Sequence, residues 1–196
     1  MQPDIVTAAV LVIGDEILSG RTKDKNIGTI AEHLTNIGIR LREVRVVPDL
    51  EEEIVAALNA LRERYDYVFS TGGIGPTHDD ITADSVAKAF GVSIDIDPRA
   101  RAMLLERLGE ANLTPARLRM ARIPAGAELI DNPISRAPGF MIGNVVVMAG
   151  VPKIMEAMLA AVTPRLRTGA KLISVTIHVR APEGIVAGYL SAAQTA

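Results

Sequence analysis

The sequence contains no cysteine and no tryptophan. Without cysteine there can be no disulfide and no thiolate site. Such a chain suits a reducing compartment, and a cytoplasmic location is expected. Aromatic residues make up only 3%. That argues against a surface for single-stranded nucleic acid, where bases stack on rings. No charge of one sign dominates: 21 Lys and Arg stand against 23 Asp and Glu. No net field draws the chain toward nucleic acid or an anionic membrane, so neither is an expected partner. Long apolar runs are missing as well. Runs such as Ala8–Ile13 and Val145–Ala149 fall well short of a bilayer span. The first residues lack the basic and apolar segments of a signal peptide, and none is expected.

What is present is apolar content. Hydrophobic residues are 48% of 196, enough for a sizeable core and too many for a disordered chain. Ala8–Ile13 is a continuous apolar run, as a strand buried on both faces requires, and Gly14 breaks it. Ile27, Ile30, Ala31, Leu34 and Ile37 recur at helical spacing, with Gly38 placed for a C-terminal cap. Arg40–Val47 reads as a second strand. The stripe Ile54, Val55, Leu58 and Leu61 marks the next helix, Tyr67–Thr71 a third strand, and Thr82–Phe90 a helix stopped by Gly91. Alternating strands and helices predict a mostly parallel sheet covered on both faces, an α/β fold of three layers.

Pro98–Arg122 is expected to be helical, with its six arginines forming a solvated face. Gly143-Asn144 between apolar flanks predicts a tight hairpin ending in a strand over Val145–Met148. Pro152 suits the first turn of a last long helix, whose Met155 and Met158 read as core. After Pro164 the pattern changes. Leu172–Val179 alternates like a half-exposed strand, and Pro182–Ala193 reads as a short helix. The expected division is a main domain over residues 1–166 and an extension or truncated small subdomain over 167–196.

The most informative segment runs from the third strand through Thr71-Gly-Gly-Ile-Gly-Pro-Thr-His-Asp-Asp-Ile-Thr82. In an open parallel sheet, ligands bind beyond the C-terminal strand ends, where this segment falls. Its glycines let backbone amides approach a ligand, and the following helix N-terminus favours an anion. A phosphate or diphosphate fits. A tight strand-to-helix turn capped by Asp80 or Thr82 also fits. The segment lacks the Gly-Lys-Ser/Thr of a Walker A loop and the spacing of the dinucleotide fingerprint.

Asp79 and Asp80 add negative charge beside that loop. A carboxylate next to phosphate calls for a bridging divalent cation, often Mg2+. Without a ligand, Asp79 reads as a solvated loop residue and Asp80 as a helix cap. Gly14-Asp15-Glu16 follows the first strand and reads as a polar turn. Asp49 precedes Leu50-Glu51-Glu52, and this arrangement predicts a helix-capping role. Asn26 is likewise expected to cap its helix. His33, His78 and His178 share no metal-ligand spacing; His33 is expected to be partly exposed in its helix, and His78 to lie in the loop.

Gly14-Asp-Glu-Ile-Leu-Ser-Gly20, Val47-Pro-Asp49 and the Thr71–Thr82 block together resemble the MoaB/Mog-like molybdopterin-binding domain family. The match is closest to its CinA-type branch, which includes the first half of CinA and the N-terminal domain of eukaryotic FAD synthases. Ala137-Pro-Gly-Phe140 and Ala149-Gly-Val-Pro152 fit it too, so the resemblance covers roughly residues 5 to 166.

The resemblance implies a three-layer α/β/α fold of MoaB/Mog type with the ligand site at the glycine loop. It makes Asp49 and Asp80 the catalytic candidates, which gives Asp49 a role beyond capping. Gly14, Asp15, Glu16, Thr71, Gly72, Gly73, Gly75, Pro76, Thr77, Thr82, Gly150 and Pro152 become candidate ligand contacts. For the CinA-type branch it implies a pyrophosphohydrolase of ADP-ribose, FAD or coenzyme A. A divalent ion (Mg2+, Mn2+ or Co2+) is then expected at Asp80. The other implied activities are molybdopterin binding or adenylyl transfer in molybdenum cofactor biosynthesis, or pterin or nucleotide binding without catalysis. A homodimer or homotrimer is implied as well. The amidase domain of CinA and the FMN-adenylating domain of FAD synthases have no counterpart after residue 166, so neither activity is expected.

Overall fold

A computed structural model describes residues 5–171, 175 and 178–194 of the chain. Its centre is a six-stranded sheet in the order β2-β1-β3-β8-β7-β6. Strands β1 (Val6–Ile13), β2 (Ile39–Val47), β3 (Tyr67–Thr71) and β8 (Val145–Met148) are parallel. Strands β6 (Glu128–Ile130) and β7 (Gly139–Ile142) complete it antiparallel at one edge. The sheet is thus mixed around a parallel centre. β7 and β8 meet through the two-residue turn at Gly143-Asn144, as the sequence predicts.

The apolar run of β1 is explained by its place between β2 and β3. Ala9, Leu11 and Ile13 pack on one face against α3 (Glu51–Arg64), α4 (Thr82–Phe90) and α5 (Pro98–Leu108). Val6, Ala8, Val10 and Val12 pack on the other against α2 (Asn26–Asn36) and α7 (Pro152–Val162). Alternate side chains of one strand therefore feed two separate cores, which is the three-layer arrangement. Met155 and Met158 are buried in the second core.

The central segment departs from the expected continuous helix. It breaks into α5, a 3-10 turn at Glu110–Asn112, the short α6 (Pro115–Leu118) and a 3-10 turn at Arg119–Ala121. It then enters β5 (Arg122–Pro124), which pairs with β4 (Ile94–Ile96) in a small second sheet. Gly109, at φ 74, and Pro115 explain the break. The arginines also divide. Arg99 and Arg101 form exposed ion pairs, whereas Arg119 and Arg122 turn toward the back of the glycine loop.

The strand expected over Leu172–Val179 lies outside the described residues except at Val175, His178 and Val179. The terminal helix is present as α8 (Glu183–Gln194), with no buried residue. Among the described residues, no helix is long and apolar enough to cross a membrane.

The four parallel strands point the same way, so the loops leaving them share one edge of the sheet. The chain goes from β1 to β2 on one side, then to β3 on the other. That reversal of direction opens the crevice in which such folds place ligands.

Candidate functional site

The glycine loop begins where β3 ends. Gly72 donates its N–H to the Met148 carbonyl of the neighbouring strand at 3.2 Å, extending the ladder by one residue. At φ 102 its backbone suits only glycine, and a Cβ there would collide with the carbonyl oxygen of Ile13. The loop then closes on a single side chain. Asp80 accepts the Gly75 N–H at 2.7 Å, the Thr77 N–H at 2.8 Å and the Thr77 hydroxyl at 2.5 Å. Asp80 therefore does not cap α4; it clasps the loop onto itself. Thr82 does not cap the helix either, since its hydroxyl donates to the Gly72 carbonyl at 3.0 Å.

The backbone N–H groups of Gly73 and Ile74 have no acceptor among the described residues, as is true of His78 and Ile81 further along the loop. Of the three glycine amides expected to meet a ligand, only that of Gly73 is free; those of Gly72 and Gly75 are already used. Gly73 and Ile74 line a cavity of about 610 Å³. Glu16, Thr22, Gly72, Gly75, Pro76 and Asp80 share its polar side, while Met120, Ala137, Ile154 and Met158 form an apolar wall. Ala149, Gly150 and Pro152 close it from the loop before α7.

A second, smaller cavity of about 260 Å³ adjoins it. The two share Glu16, Thr22, Gly72, Gly150 and Pro152. The sequence candidates Thr71 and Glu16 line this second lobe together with Asn26. Asn26 is not the helix cap the sequence suggests. Asp24 accepts the Ile27 N–H at 2.8 Å, and the Asn26 amide reaches Gly150, donating to its carbonyl at 2.8 Å.

Asp49 lies at the end of β2, beside the first strand's loop. It does not cap α3. Its Oδ2 accepts the Asp15 N–H at 2.9 Å, from the four-residue helix α1 (Asp15–Leu18). Burial is the main force raising the Asp49 carboxyl above its ordinary range; the hydrogen bond from Asp15 opposes it. The negative charges of Asp15, Glu16 and Asp79 push it further up. The sign is clear. A carboxyl raised by folding contributes stability below its unfolded value, and loses it as pH rises through the folded one. At neutral pH the ionised Asp49 therefore costs stability relative to its protonated form. Glu16 folds over Gly14, where an added Cβ would lie 2.6 Å from Glu16 Oε2.

His78 points away from all of this. Its side chain is 98% exposed and lies 4.0 Å from Asp79. His33 bonds Thr163 on the far side of α2 at 2.7 Å. Behind the loop, Arg119 donates to the Asp80 carbonyl at 3.3 Å, and Arg122 grips Asp84 through two contacts of 2.8 and 2.6 Å. Both arginines were legible as residues but not as supports of the loop.

Among the described residues, no group of three or more His, Cys, Asp or Glu is placed to hold a metal. A dedicated protein cage is thus not what the donor set fits. Of the carboxylates lining the cavity, Glu16 and Asp80, the second already has both oxygens engaged by the loop.

The doubly wound α/β domain thus brings a clasped glycine loop, open amides and carboxylates together at its strand ends. The chain belongs to the molybdopterin-binding domain family: the family described as "Probable molybdopterin binding domain" matches residues 9–168. A protein of Thermoplasma acidophilum is 43% identical over 158 residues, covering 79% of this chain and 62% of its own. One from Pyrobaculum arsenaticum is 40% identical over 168 residues, covering 82% and 63%. The chain thus spans about three fifths of the length of these curated relatives. The crystal structure of the protein CinA with unknown function from Thermoplasma acidophilum superposes with a TM-score of 0.77 at 42% identity. That match covers 82% of this chain and 98% of that one. MoaB from Pyrococcus furiosus, a tungsten cofactor synthesizing protein, shares the fold at a TM-score of 0.56 and 24% identity, over 83% and 93% of the two chains. The family resemblance and its CinA-type branch are thereby borne out.

Proposed function

We propose that this domain binds a nucleotide diphosphate and hydrolyses its phosphoanhydride with the help of a divalent metal ion. The observation that carries the reading is the pair of unpaired amides at Gly73 and Ile74, lining a cavity that also holds carboxylates. Two adjacent N–H donors at a helix-facing loop suit phosphate oxygens. Carboxylates so close to them suit phosphate only when a cation offsets the repulsion.

In this reading Gly73 and Ile74 orient the diphosphate, and Asp80 keeps the loop in shape for it. Asp49 accepts the proton of a water whose oxygen attacks phosphorus. The bridging P–O bond breaks, and the second phosphate leaves with its electron pair. A partly buried carboxyl whose pKa is raised by burial is a better proton acceptor than an ordinary carboxylate. The ion, when bound, supplies neutralisation of phosphate charge and activation of water. Glu16, which lines both lobes, is the carboxylate left to help hold it, since both oxygens of Asp80 already serve the loop and Asp49 lines neither lobe. A second reading, binding of molybdopterin itself, draws on the family description and on the apolar Met120, Ile154 and Met158 wall.

The test is release of nucleoside monophosphate from ADP-ribose, FAD and coenzyme A, with Mg2+, Mn2+ or Co2+ and with chelator. Turnover that needs the metal is expected. Asp49→Asn is expected to lose about 100-fold or more of it, the usual contribution of a general base, while melting no lower than wild type at neutral pH. No turnover on any of the three, with molybdopterin still bound, sinks the hydrolase reading and leaves the second.

A further inference from the structure

Arg119 stands apart from the other arginines of its segment. Arg99 pairs with Asp97, Arg101 with Glu110 and Arg122 with Asp84, so a carboxylate cancels each of those charges. Arg119 is half-buried, yet it forms no ion pair among the described residues. Its guanidinium makes one hydrogen bond, from Nη2 to the Asp80 carbonyl at 3.3 Å, and its Nε is buried with no partner. Such a group adds little to folding. Desolvating an unpaired charge costs more than one long hydrogen bond returns.

Its place is behind the glycine loop. Arg119 shares with Gly73, Ile74, Gly75 and Asp80 the wall of a cavity of about 20 Å³, room for a single water. The same four loop residues line the 610 Å³ cavity, which Arg119 itself does not reach. The loop thus lies between the guanidinium and the larger cavity. Charge makes that position matter. The larger cavity's wall carries two carboxylates, Glu16 and Asp80, and neither lysine nor arginine. An anion entering it meets negative charge on the wall, with an uncompensated cation one loop's thickness away. Across packed backbone that attraction is screened far less than in water.

We propose that Arg119 is the resident counter-charge of the glycine loop. It offsets the Asp80 carboxylate and attracts the ligand's phosphate through the loop, without touching it. This rests on the diphosphate reading above and adds how a wall of carboxylates accepts an anion. Arg119 is in this sense a positioning residue: its charge acts on the ligand through Gly73, Ile74 and Asp80.

The experiment measures ADP affinity by calorimetry with Mg2+ present, at low and high NaCl, in the wild type, Arg119→Gln and Arg119→Lys, with a melting curve for each. Arg119→Gln keeps an N–H donor but gives up the charge; Arg119→Lys keeps the charge on a different shape. Arg119→Gln is expected to bind ADP about tenfold more weakly at low salt, the scale of one partly screened charge interaction. Its affinity is expected to fall less steeply with salt than that of the wild type. It is expected to melt within about 2 °C of the wild type, since little stability rests on this guanidinium. Arg119→Lys is expected to recover the affinity to within about threefold of the wild type and the salt dependence with it. Wild-type affinity in Arg119→Gln overturns the proposal, and so does an Arg119→Lys that binds as weakly as Arg119→Gln. An Arg119→Gln that melts far lower while keeping the wild-type salt dependence also overturns it, in favour of a purely structural role. In each of these cases ADP binding by the wild type still supports the diphosphate reading. Absence of ADP binding by the wild type overturns both.

Discussion

Asp80→Ala is expected to melt about 5–10 °C below the wild type and to lose ligand binding at the loop. One carboxylate holds three donors, two of them from Thr77 and one from Gly75. Hydrogen bonds to a charged group contribute about 1.5–3 kcal/mol each when buried. Here Thr77 is at the surface, where water takes over its donors, so a net loss of about 2–3 kcal/mol is expected. The functional loss is larger in proportion. Without the clasp, Gly73 and Ile74 no longer hold fixed positions, and a misplacement of about 1 Å costs on the order of 100-fold in rate. Asp80→Asn is expected to fall between the two, since its amide keeps one acceptor but turns an N–H toward another donor. Chemical denaturation and a binding titration check both. Wild-type melting and wild-type affinity in Asp80→Ala would show that the loop is shaped by something else.

Gly72→Ala is expected to be the more damaging substitution to the fold. Its φ of 102 is strained for any side chain, at about 1–3 kcal/mol. The added methyl also meets the Ile13 carbonyl, which belongs to the central strand and cannot swing aside as a side chain would. Forcing atoms into a packed interior adds about 1–3 kcal/mol. A total of roughly 3–5 kcal/mol is a large share of the 5–15 kcal/mol that hold a domain together. Soluble expression and a denaturant midpoint give the answer. A variant within about 1 kcal/mol of wild type would mean that the backbone relaxes here, contrary to the close approach described.

How much of this could be read in advance depends on how local each signal was. The β1 strand announced itself because burial on both faces leaves a continuous apolar run. Gly38, Gly91, the Gly143-Asn144 turn and Pro152 mark their elements because each acts within a few residues. The site residues behaved differently. Asp49 looks like a cap when only the next residues are considered, and its partner Asp15 lies 34 residues back. Asn26 also looks like a cap, but its amide bonds Gly150, 124 residues away. Asp80 was legible as important, yet its job is to close its own loop, a geometry that residue spacing does not specify. Arg119 and Arg122 read as part of a solvated face because nothing local reveals that a broken helix delivers them behind the loop. The short strands β4, β5 and β6, of three residues each, carry too little periodicity to be seen.

The central claim is that phosphate sits on two particular amides. It is tested most directly by the backbone amide resonances of the isotopically labelled protein as ADP is added with Mg2+. The account predicts that Gly73 and Ile74 shift most and in proportion to occupancy, while Gly72 and Gly75, already hydrogen-bonded, move little. Saturable binding whose largest shifts fall elsewhere, with Gly73 and Ile74 unmoved, would contradict it.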